Sequence, residues 1–554
     1  MLSWYTVADM SRTKFVAPFV ILLVATAAFG SAYRASPKLV VILIIDQFRG
    51  DYLERYHDEF GPSGFRTFTD RGAYFPACYY DYANTRTAPG HATIGTGTYS
   101  SGHGIFSNEW WVPASKRVMS SVDDESTKLI GAEVEGMGAS PHNLLADTLG
   151  DELRLATQGN SRVFGIALKD RAAILPVGFS ANGAYWIDHA SGAWVTSTYY
   201  AAEAPHWLTA FNSQKRAQRY LNLDWKDANG EVLGSTAPHD GPDGKPLDFY
   251  ELVGRTPYGN EYQFDFAREL IQQEELGQGT VTDLLVISLS ANDLTGHAYG
   301  PDSPQMHAMA LALDRQISEF LAFLGQQYGN RFWIALSADH GVAPTNATSL
   351  KLRIPSVLIA NQDLRAELNK AVGARLHKPG DYVRSASFPI VFVNDDAFGD
   401  KVTEGDAEGY VSEAMRSMGF VYAYTKEQLS TGEVAPTATG RMFTHSYSPY
   451  GGWWVMGQPP PFALSTKDIA EHGSPYSYDQ HVPLAFYGAP FKPGVYRDQV
   501  EPIDLAPTLA VLLGINKPTN STGHVLTQAL GSRSEMASPA TTVAKPRNAP
   551  ETRP

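Results

Sequence analysis

The sequence Lys38-Leu-Val-Val-Ile-Leu-Ile-Ile45 is a continuous apolar run, rich in β-branched residues, that ends at Asp46. A run of this kind is typical of a central strand that is covered on both faces of a parallel sheet. Open α/β sheets bind their ligands at the carboxyl ends of such strands. We therefore predict that Asp46 lies at the ligand-binding edge of a sheet.

Three further runs share this pattern, and charged or metal-ligating side chains follow each of them. They are residues 162–168 before Lys169-Asp-Arg171, residues 283–289 before Asp293 and His297, and residues 331–337 before Asp339-His340. Segments with helical periodicity, such as 303–325, lie between strand candidates. A strand at 482–487 and a helix at 502–514 follow. The alternation predicts an α/β fold, with a doubly wound, mostly parallel central sheet flanked by helices.

Two long stretches interrupt this alternation, roughly residues 110–277 and 363–467, and we expect them to be insertions that form cap subdomains at the active-site edge. Residues 1–32 carry basic residues, then an apolar run, then small residues, which predicts a secretory signal peptide. An uncleaved anchor is the alternative, although the run is short for a membrane span. The composition of residues 531–554 predicts a disordered tail.

Composition restricts the classes of function. The formal net charge of −14 over 554 residues argues against a general nucleic-acid-binding surface, so an anionic ligand would need local cations. Cys78 is the single cysteine, which excludes an intrachain disulfide and a cysteine-based zinc site. Any metal would therefore be bound by aspartate, histidine and hydroxyl ligands.

A second informative stretch is Asn84-Thr-Arg-Thr-Ala-Pro-Gly-His-Ala-Thr-Ile-Gly-Thr-Gly97. If a helix begins near Ala88, Thr87 is its N-cap, where free N–H groups and the helix dipole favour an anion. Thr93 would lie in the second turn and Thr85 short of the cap, so Thr87 is the better candidate. A capping threonine alone is common, and other parts of the chain must decide its role.

The remaining candidates are weak when each is taken alone. Asp293 and His297 are four residues apart, so both could bind one metal ion if they lie on a helical turn. An Asp-His pair such as Asp339-His340 is common at the end of a strand without any metal, because adjacent strand residues face opposite ways. Asp46 could cap a helix, and His481 could be a loop histidine. Taken together, three aspartates, three histidines and one threonine supply two metal sites without a thiolate.

The order of motifs over residues 38–525 resembles the alkaline phosphatase superfamily, and within it the secreted bacterial enzymes that use a threonine nucleophile. The motifs are Asp-Gln, Thr-Ala-Pro-Gly-His, Gly-Ile-x-x-Asn, Lys-x-Arg, Asp-x-x-x-His, Asp-His-Gly and Tyr-Asp-x-His-Val-Pro. The resemblance implies that residues 33–530 form an alkaline phosphatase-like catalytic domain. It also implies hydrolysis of phosphate monoesters through a phosphothreonine intermediate, with release of inorganic phosphate.

The resemblance further implies two zinc ions and a set of site residues. One zinc would be bound by Asp293, His297 and His481, and the second by Asp46, Asp339, His340 and the Thr87 oxygen. Thr87 would be the nucleophile, and Asn108 would donate a hydrogen bond to a phosphoryl oxygen. Whether calcium or magnesium also binds stays open.

Lys169 and Arg171 distinguish the possible substrates. Residues i and i+2 of an extended segment point the same way, and two cations suit the dianionic phosphoryl group of a monoester. The alternatives are a phosphodiesterase or nucleotide pyrophosphatase of the same superfamily, and a metal-binding or adhesion protein without turnover. We expect small-molecule phosphate monoesters as partners, a periplasmic or secreted location, no membrane anchor after signal cleavage, and a monomer.

Overall fold

The computed structural model describes residues 36–531 except 134–135, 242–243, 358, 360, 388 and 464–468. The predicted signal peptide at 1–32 lies outside the described residues, and so does the predicted tail at 531–554 apart from Gly531. Both therefore stay predictions from the sequence.

An eleven-stranded sheet forms the centre of the fold. In spatial order its strands are Gly494–Val495, Ala73–Tyr79, His481–Tyr487, Phe332–Ser337, Leu39–Ile45, Asp283–Leu289, Val163–Ala167, Gly183–Ile187, Trp194–Ser197, Asp123–Ile130 and Met137–Ala139. The five strands from Phe332–Ser337 to Gly183–Ile187 are parallel to one another. Antiparallel pairings extend the sheet on both sides of this parallel centre.

The first apolar run occupies the middle of the parallel centre. Every residue of Leu39–Ile45 is buried, because strands pair on both sides and helices cover both faces. Ile44 lies opposite Ser288 on one neighbouring strand and opposite Ser337 on the other. This register brings the carboxyl ends of three strands to one edge, as predicted.

Helices flank this sheet, and the longest is Pro304–Tyr328, with Ser303 as its N-cap. The predicted helix at 502–514 is a 3-10 turn, Pro502–Asp504, followed by Leu505–Leu513. The other α-helices of this layer are Tyr52–Arg55, Arg66–Arg71, Thr87–Thr96, Ser100–His103, Leu149–Ala156, Asp170–Ile174, His206–Ser213, Phe249–Gly254, Pro257–Gln273, Ala291–Tyr299, Asn346–Lys351 and Ser477–Gln480. The predicted fold class is confirmed, with antiparallel strands at the sheet edges as an added feature.

The two long stretches differ in organisation. The stretch 110–277 is not one separate unit, because the central strand Val163–Ala167 lies within it. Two β-hairpins also belong to this part of the chain. In one, Glu109–Val112 pairs with Arg117–Ser120, and in the other, Asp224–Lys226 pairs with Val232–Ser235. The stretch 363–467 builds a four-stranded antiparallel sheet with its own apolar core. Its strands are Val383–Ser387, Ile390–Val393, Trp454–Gln458 and Tyr422–Thr425, and its helices are Asn361–Arg375, Glu404–Ser417, Lys426–Thr431 and Ala438–His445.

Within the described ranges, no helix has both the length and the apolar character that a transmembrane span requires.

Candidate active site

The carboxyl ends of the parallel strands assemble the centre of the site. Asp46 directly follows Leu39–Ile45, Asp339 and His340 follow Phe332–Ser337, and Asp293 lies in the first turn of the helix after Asp283–Leu289. All four side chains are buried. The predicted convergence of these residues at one sheet edge is therefore observed.

Gln47 organises two of these carboxylates. Its backbone lies in the left-handed region, with φ of 61°, which is uncommon outside glycine and often marks functional sites. In this conformation its N–H donates to Asp339 Oδ1 at 3.0 Å, and its side-chain amide donates to Asp293 Oδ1 at 2.7 Å. Sequence reasoning missed this role, although the Asp-Gln pair at the end of the first strand marked the position.

The helix that carries Thr87 begins one residue earlier than predicted. It spans Thr87–Thr96 with Arg86 as N-cap, so Thr87 is the first helical residue rather than the cap. Its position at the positive end of the helix is unchanged, and its side chain lines the cavity above the carboxylates. Gly90 permits this close packing, because a Cβ there would lie 2.3 Å from the backbone oxygen of Asp339.

The neighbouring threonines have other partners. The Thr85 hydroxyl donates to the Ser474 carbonyl and accepts from two backbone N–H groups, at 3.1 to 3.2 Å. Thr93 Oγ1 lies 3.1 Å from His103 Nε2. Both threonines are fully buried, so Thr87 is the threonine of this segment whose hydroxyl faces the cavity.

Asp46, Asp339 and His340 form the first group that could bind a metal ion. Asp46 Oδ1, Asp339 Oδ2 and His340 Nε2 are buried, and none of the described residues forms a hydrogen bond with them. The His340 Nε2 atom lies 3.5 Å from the Asp46 oxygen and 3.4 Å from the Asp339 oxygen. Three buried ligand atoms that face one another without partners fit a divalent cation.

Asp293, His340 and His472 form the second group. His297 belongs to the same neighbourhood, since its Nε2 lies 3.2 Å from Asp293 Oδ1. The His472 Nε2 atom lies 4.0 Å from that oxygen, and its ring stacks on the His340 ring at 3.6 Å between centroids.

The imidazoles of His297, His340 and His472 share one hydrogen-bonding pattern. In each, Nδ1 bonds to a backbone carbonyl: His297 to Ala470 at 2.7 Å, His340 to Gly341 at 2.9 Å and His472 to Thr85 at 2.7 Å. A carbonyl can only accept, so Nδ1 carries the proton and the Nε2 lone pair points at the carboxylates. This is the tautomer and the outer hydrogen bond that metal-binding histidines use.

The structure does not bring His481 into the site, in contrast to the sequence analysis. His481 begins a strand and pairs with Tyr79, and its ring stacks on the Tyr79 ring at 4.6 Å. Its Nε2 bonds to the Pro76 carbonyl at 2.7 Å, so that nitrogen cannot bind a metal in this orientation. His472, nine residues earlier in the same segment, has the position that the sequence analysis gave to His481.

The electrostatics of the buried carboxylates depend on how each is paired. Burial raises the pKa of Asp46 well above its ordinary value, and the carboxylates of Asp293 and Asp339 add to this rise. Burial also acts to raise the pKa of Asp293, but the ammonium of Lys169 and the imidazoles of His297 and His472 together outweigh burial, so the pKa of Asp293 is lowered. Burial lowers the pKa values of His340 and His472, which keeps both imidazoles neutral and able to bind a metal.

Lys169 and Arg171 both line the cavity, but they are not on one extended segment. Lys169 is the N-cap of the short helix Asp170–Ile174, and Arg171 lies inside that helix. The Lys169 ammonium contacts Asp46 Oδ2 at 2.6 Å and Asp293 Oδ2 at 2.5 Å. The Arg171 Nε has no hydrogen-bond partner among the residues the structure describes, which leaves it as a donor.

Asn108 lines the same cavity. Its Oδ1 accepts from the Ala88 N–H at 2.8 Å, next to Thr87 on the helix. An amide whose oxygen is used in this way presents its NH₂ group as the remaining donor. The predicted phosphoryl contact is compatible with this orientation.

His91 and Asn292 were also missed by sequence reasoning. The His91 Nδ1 lies 2.8 Å from the Thr87 carbonyl and 3.3 Å from Asp339 Oδ2, which connects the helix with the first metal-binding group. Asn292 donates to the Asp46 carbonyl at 2.9 Å. The histidine of the Thr-Ala-Pro-Gly-His motif was a visible signal, whereas nothing in the sequence distinguished Asn292.

The cavity above these groups has a volume of about 820 Å³. Thr87, Asp293, His297 and His472 line it, and so do several residues of the first long stretch, among them Ser235, Tyr250 and Arg255. The site therefore combines a hydroxyl at a helix N-terminus, paired groups of metal-ligand type and two cations. This combination fits phosphoryl transfer assisted by metal ions.

Comparisons with known proteins agree with this chemistry. The model of the type I phosphodiesterase/nucleotide pyrophosphatase family matches residues 40–431. A Myroides odoratus protein named calcium-transporting ATPase is 33% identical over 532 residues, which cover 91% of this chain and 96% of that protein. Alkaline phosphatase PafA of Elizabethkingia meningoseptica is 29% identical over 522 residues, which cover 89% of this chain and 95% of PafA.

The crystal structure of wild-type PafA superposes with a TM-score of 0.81 and covers 90% of this chain and 99% of that one, at 29% identity. Sequence and structure thus agree over nearly the whole length of both proteins. The chain belongs to the type I phosphodiesterase/nucleotide pyrophosphatase family, within the alkaline phosphatase superfamily.

Proposed function

We propose that this protein is a zinc-dependent alkaline phosphatase that hydrolyses phosphate monoesters through a phosphothreonine at Thr87 and releases inorganic phosphate. The relatives named alkaline phosphatase support a phosphoric monoester hydrolase. The observation that carries the proposal is one cavity lined by Thr87, Lys169, Arg171, Asp293, His297 and His472. The Lys169 ammonium connects this cavity with Asp46 of the buried group Asp46, Asp339 and His340.

The ligand atoms of the site support two divalent cations. Asp46, Asp339, His340 and the Thr87 oxygen would bind one, and Asp293, His297 and His472 the other. Here His472 replaces His481 in the earlier assignment, because its Nε2 faces Asp293 and that of His481 does not. Nitrogen and oxygen ligands without a thiolate suit zinc, and additional calcium or magnesium stays an open possibility.

Bound zinc ions would lower the pKa of the Thr87 hydroxyl and stabilise the charge on the leaving oxygen. The side chains of this protein would supply the rest. Thr87 Oγ1 forms the bond to phosphorus while the ester oxygen leaves, and water later cleaves the phosphothreonine. The Asn108 amide and the Arg171 guanidinium donate to nonbridging oxygens of the phosphoryl group.

Lys169 has two roles in this proposal. Its ammonium now neutralises Asp46 and Asp293, which are proposed ligands of the two different metal ions. Divalent cations would supply the same neutralisation more strongly, and the ammonium would then be available for the phosphoryl oxygens. Two cations beside the phosphoryl group favour a monoester dianion over a diester monoanion.

The alternative within the family is a phosphodiesterase or nucleotide pyrophosphatase, which the description of the family model supports. The test compares hydrolysis of an aryl phosphate with that of a bis-aryl phosphate, before and after chelation and after zinc is added back. We expect the monoester to be strongly preferred, chelation to abolish turnover and zinc to restore it. A preference for the diester would favour the alternative, and full activity of metal-free protein would refute the zinc requirement.

We also infer that the protein is exported to the periplasm or secreted. The support is the order of basic, apolar and small residues in positions 1–32. N-terminal sequencing of the exported protein should find a start near residue 33, and a start at Met1 would contradict this inference. The monomeric state and the absence of a nucleic-acid-binding surface stay predictions.

A further inference from the structure

Tyr250 is a cavity residue that the chemistry described above does not use. It belongs to the short helix Phe249–Gly254 in the first long stretch, far in sequence from the metal-ligating motifs. Its side chain lines the same cavity as Thr87, Lys169 and Arg171. The question is what a phenol does at this position.

Contacts with His189 hold the Tyr250 ring in its orientation. The ring lies parallel to the His189 ring, with centroids 3.9 Å apart and an angle of 1° between the planes. The Tyr250 N–H also donates to the His189 carbonyl at 3.0 Å. Asp248 caps this helix by accepting from the Glu251 N–H at 2.9 Å. A stacked ring on a capped helix loses little conformational freedom when its hydroxyl binds a ligand.

The electrostatic surroundings of Tyr250 are those of the site itself. Burial raises the pKa of Tyr250 to about 12, while the positive charges of Lys169 and Arg171 act in the opposite direction. The carboxylates of Asp293 and Asp46 also act on this phenol. At neutral pH the phenol is therefore protonated and can donate a hydrogen bond.

The hydroxyl of Tyr250 has no hydrogen bond with any residue in the described part of the chain. This is unlike Tyr258, eight residues later, whose hydroxyl donates to the Asp224 carbonyl at 2.9 Å. A donor that is held rigidly beside two cations, and that has no acceptor among the described residues, is suited to an anionic ligand.

We propose that the Tyr250 hydroxyl donates a hydrogen bond to a nonbridging phosphoryl oxygen of the substrate, alongside Arg171. This inference rests on the proposed monoesterase function and adds a substrate-binding residue to it. The His189 ring would act as a positioning residue, because it contacts the Tyr250 ring and holds its direction.

The test is Tyr250→Phe, which removes the hydroxyl and keeps the ring that stacks on His189. Because this hydroxyl has no partner in the described part of the protein, the melting temperature of the variant without ligand should match that of the wild type. With zinc present, we expect kcat/KM for an aryl phosphate to fall about tenfold to a hundredfold, and inhibition by inorganic phosphate to weaken in parallel. Tyr258→Phe is the matched control for loss of a tyrosine hydroxyl, and it should keep the wild-type kcat/KM and phosphate inhibition.

Several outcomes would overturn the inference. Wild-type values of kcat/KM and phosphate inhibition in Tyr250→Phe would show that the hydroxyl does not contact the phosphoryl group. Equal losses in Tyr258→Phe would show a general effect of removing a hydroxyl from this region. If the wild type hydrolyses the monoester and Tyr250→Phe does so equally well, the role of Tyr250 is refuted and the proposed function is not.

The two proposals fail in different ways. A zinc-loaded wild type without monoester turnover defeats the proposed function. In that case the contact between Tyr250 and phosphate can still be tested, because bound inorganic phosphate raises the melting temperature. A smaller rise in Tyr250→Phe than in Tyr258→Phe supports the contact, and an equal rise refutes it.

Discussion

Replacement of His472 by alanine tests the assignment that separates the structure most clearly from the sequence. His472 and His481 lie nine residues apart, and only one of them can complete the ligand set of Asp293 and His297. The structure favours His472, because its Nδ1 bonds to the Thr85 carbonyl and its Nε2 faces Asp293. The matched control is His481→Ala, whose Nε2 bonds to the Pro76 carbonyl instead.

The expected magnitudes follow from these contacts. Loss of an outer hydrogen-bond partner of a metal ligand costs about 10 to 100-fold in metal affinity, so loss of the ligand itself should cost His472→Ala at least about 100-fold. The variant also leaves the buried Thr85 carbonyl without its donor, which destabilises the protein by about 1–3 kcal/mol. His481→Ala loses one hydrogen bond and a ring stack, and we expect about 1–2 kcal/mol of lost stability with unchanged zinc affinity.

Zinc affinity is measured by competition with a chelator of known affinity, and stability by denaturant unfolding of the metal-free proteins. Added imidazole should partly restore zinc binding and turnover in His472→Ala, because it can occupy the space of the lost ring. Loss of zinc from His481→Ala with retention in His472→Ala would refute the reasoning and return the assignment to His481.

Other residues give predictions of their own. Thr87→Ala should abolish the phosphoenzyme that acid quenching traps, whereas Thr87→Ser should keep substantial turnover; phosphate trapped on another residue would contradict the assignment. Lys169→Ala/Arg171→Ala should lose at least about 100-fold in kcat/KM for a monoester and much less for a diester, and equal losses would make the pair structural. In the single variant Lys169→Ala, chelator competition should find zinc binding no weaker than in the wild type, because the ammonium no longer competes for the two carboxylates; weaker binding would contradict this competition. Burial raises the pKa of Glu408 to about 8, so the stabilising contribution of its protonated form is complete below its unfolded pKa near 4.5 and is lost as the pH rises through 8. The free energy of unfolding should therefore fall less over this pH range in Glu408→Gln than in the wild type. An identical fall in both proteins would show that Glu408 is not its cause.

The strands and their end residues could be predicted because one physical cause produces both. A strand buried on both faces must be apolar along its whole length, and the first polar residue after it marks the sheet edge. Asp46 and Asp339 follow this rule directly. Asp293 required one more step, since it lies on the helix that follows its strand. The fold and the convergence of Asp46, Asp339 and His340 were therefore predictable from the sequence, while metal binding by this group stays a prediction.

The choice between His472 and His481 was not readable in the same way. Both lie in one segment of polar and aromatic residues, and the direction of each ring depends on contacts with distant parts of the chain. His481 is directed by its pairing with Tyr79, and His472 by the carbonyl of Thr85. Motif order fixes positions along the chain, but such long-range contacts fix which nitrogen faces the site.

The charges of the site indicate why metal and substrate belong together. With all three carboxylates ionised, as metal ligands must be, Asp46, Asp293 and Asp339 contribute three negative charges, and Lys169 and Arg171 two positive ones, while burial keeps His340 and His472 neutral. In that state these groups sum to one negative charge without metal, which disfavours a phosphate dianion. Two divalent cations would change that sum to plus three, which attracts the dianion in a buried environment where charges are poorly screened. On this reasoning the acidic side chains would bind the cations, and Lys169 and Arg171 would then act on a phosphoryl group that the metal-free site disfavours.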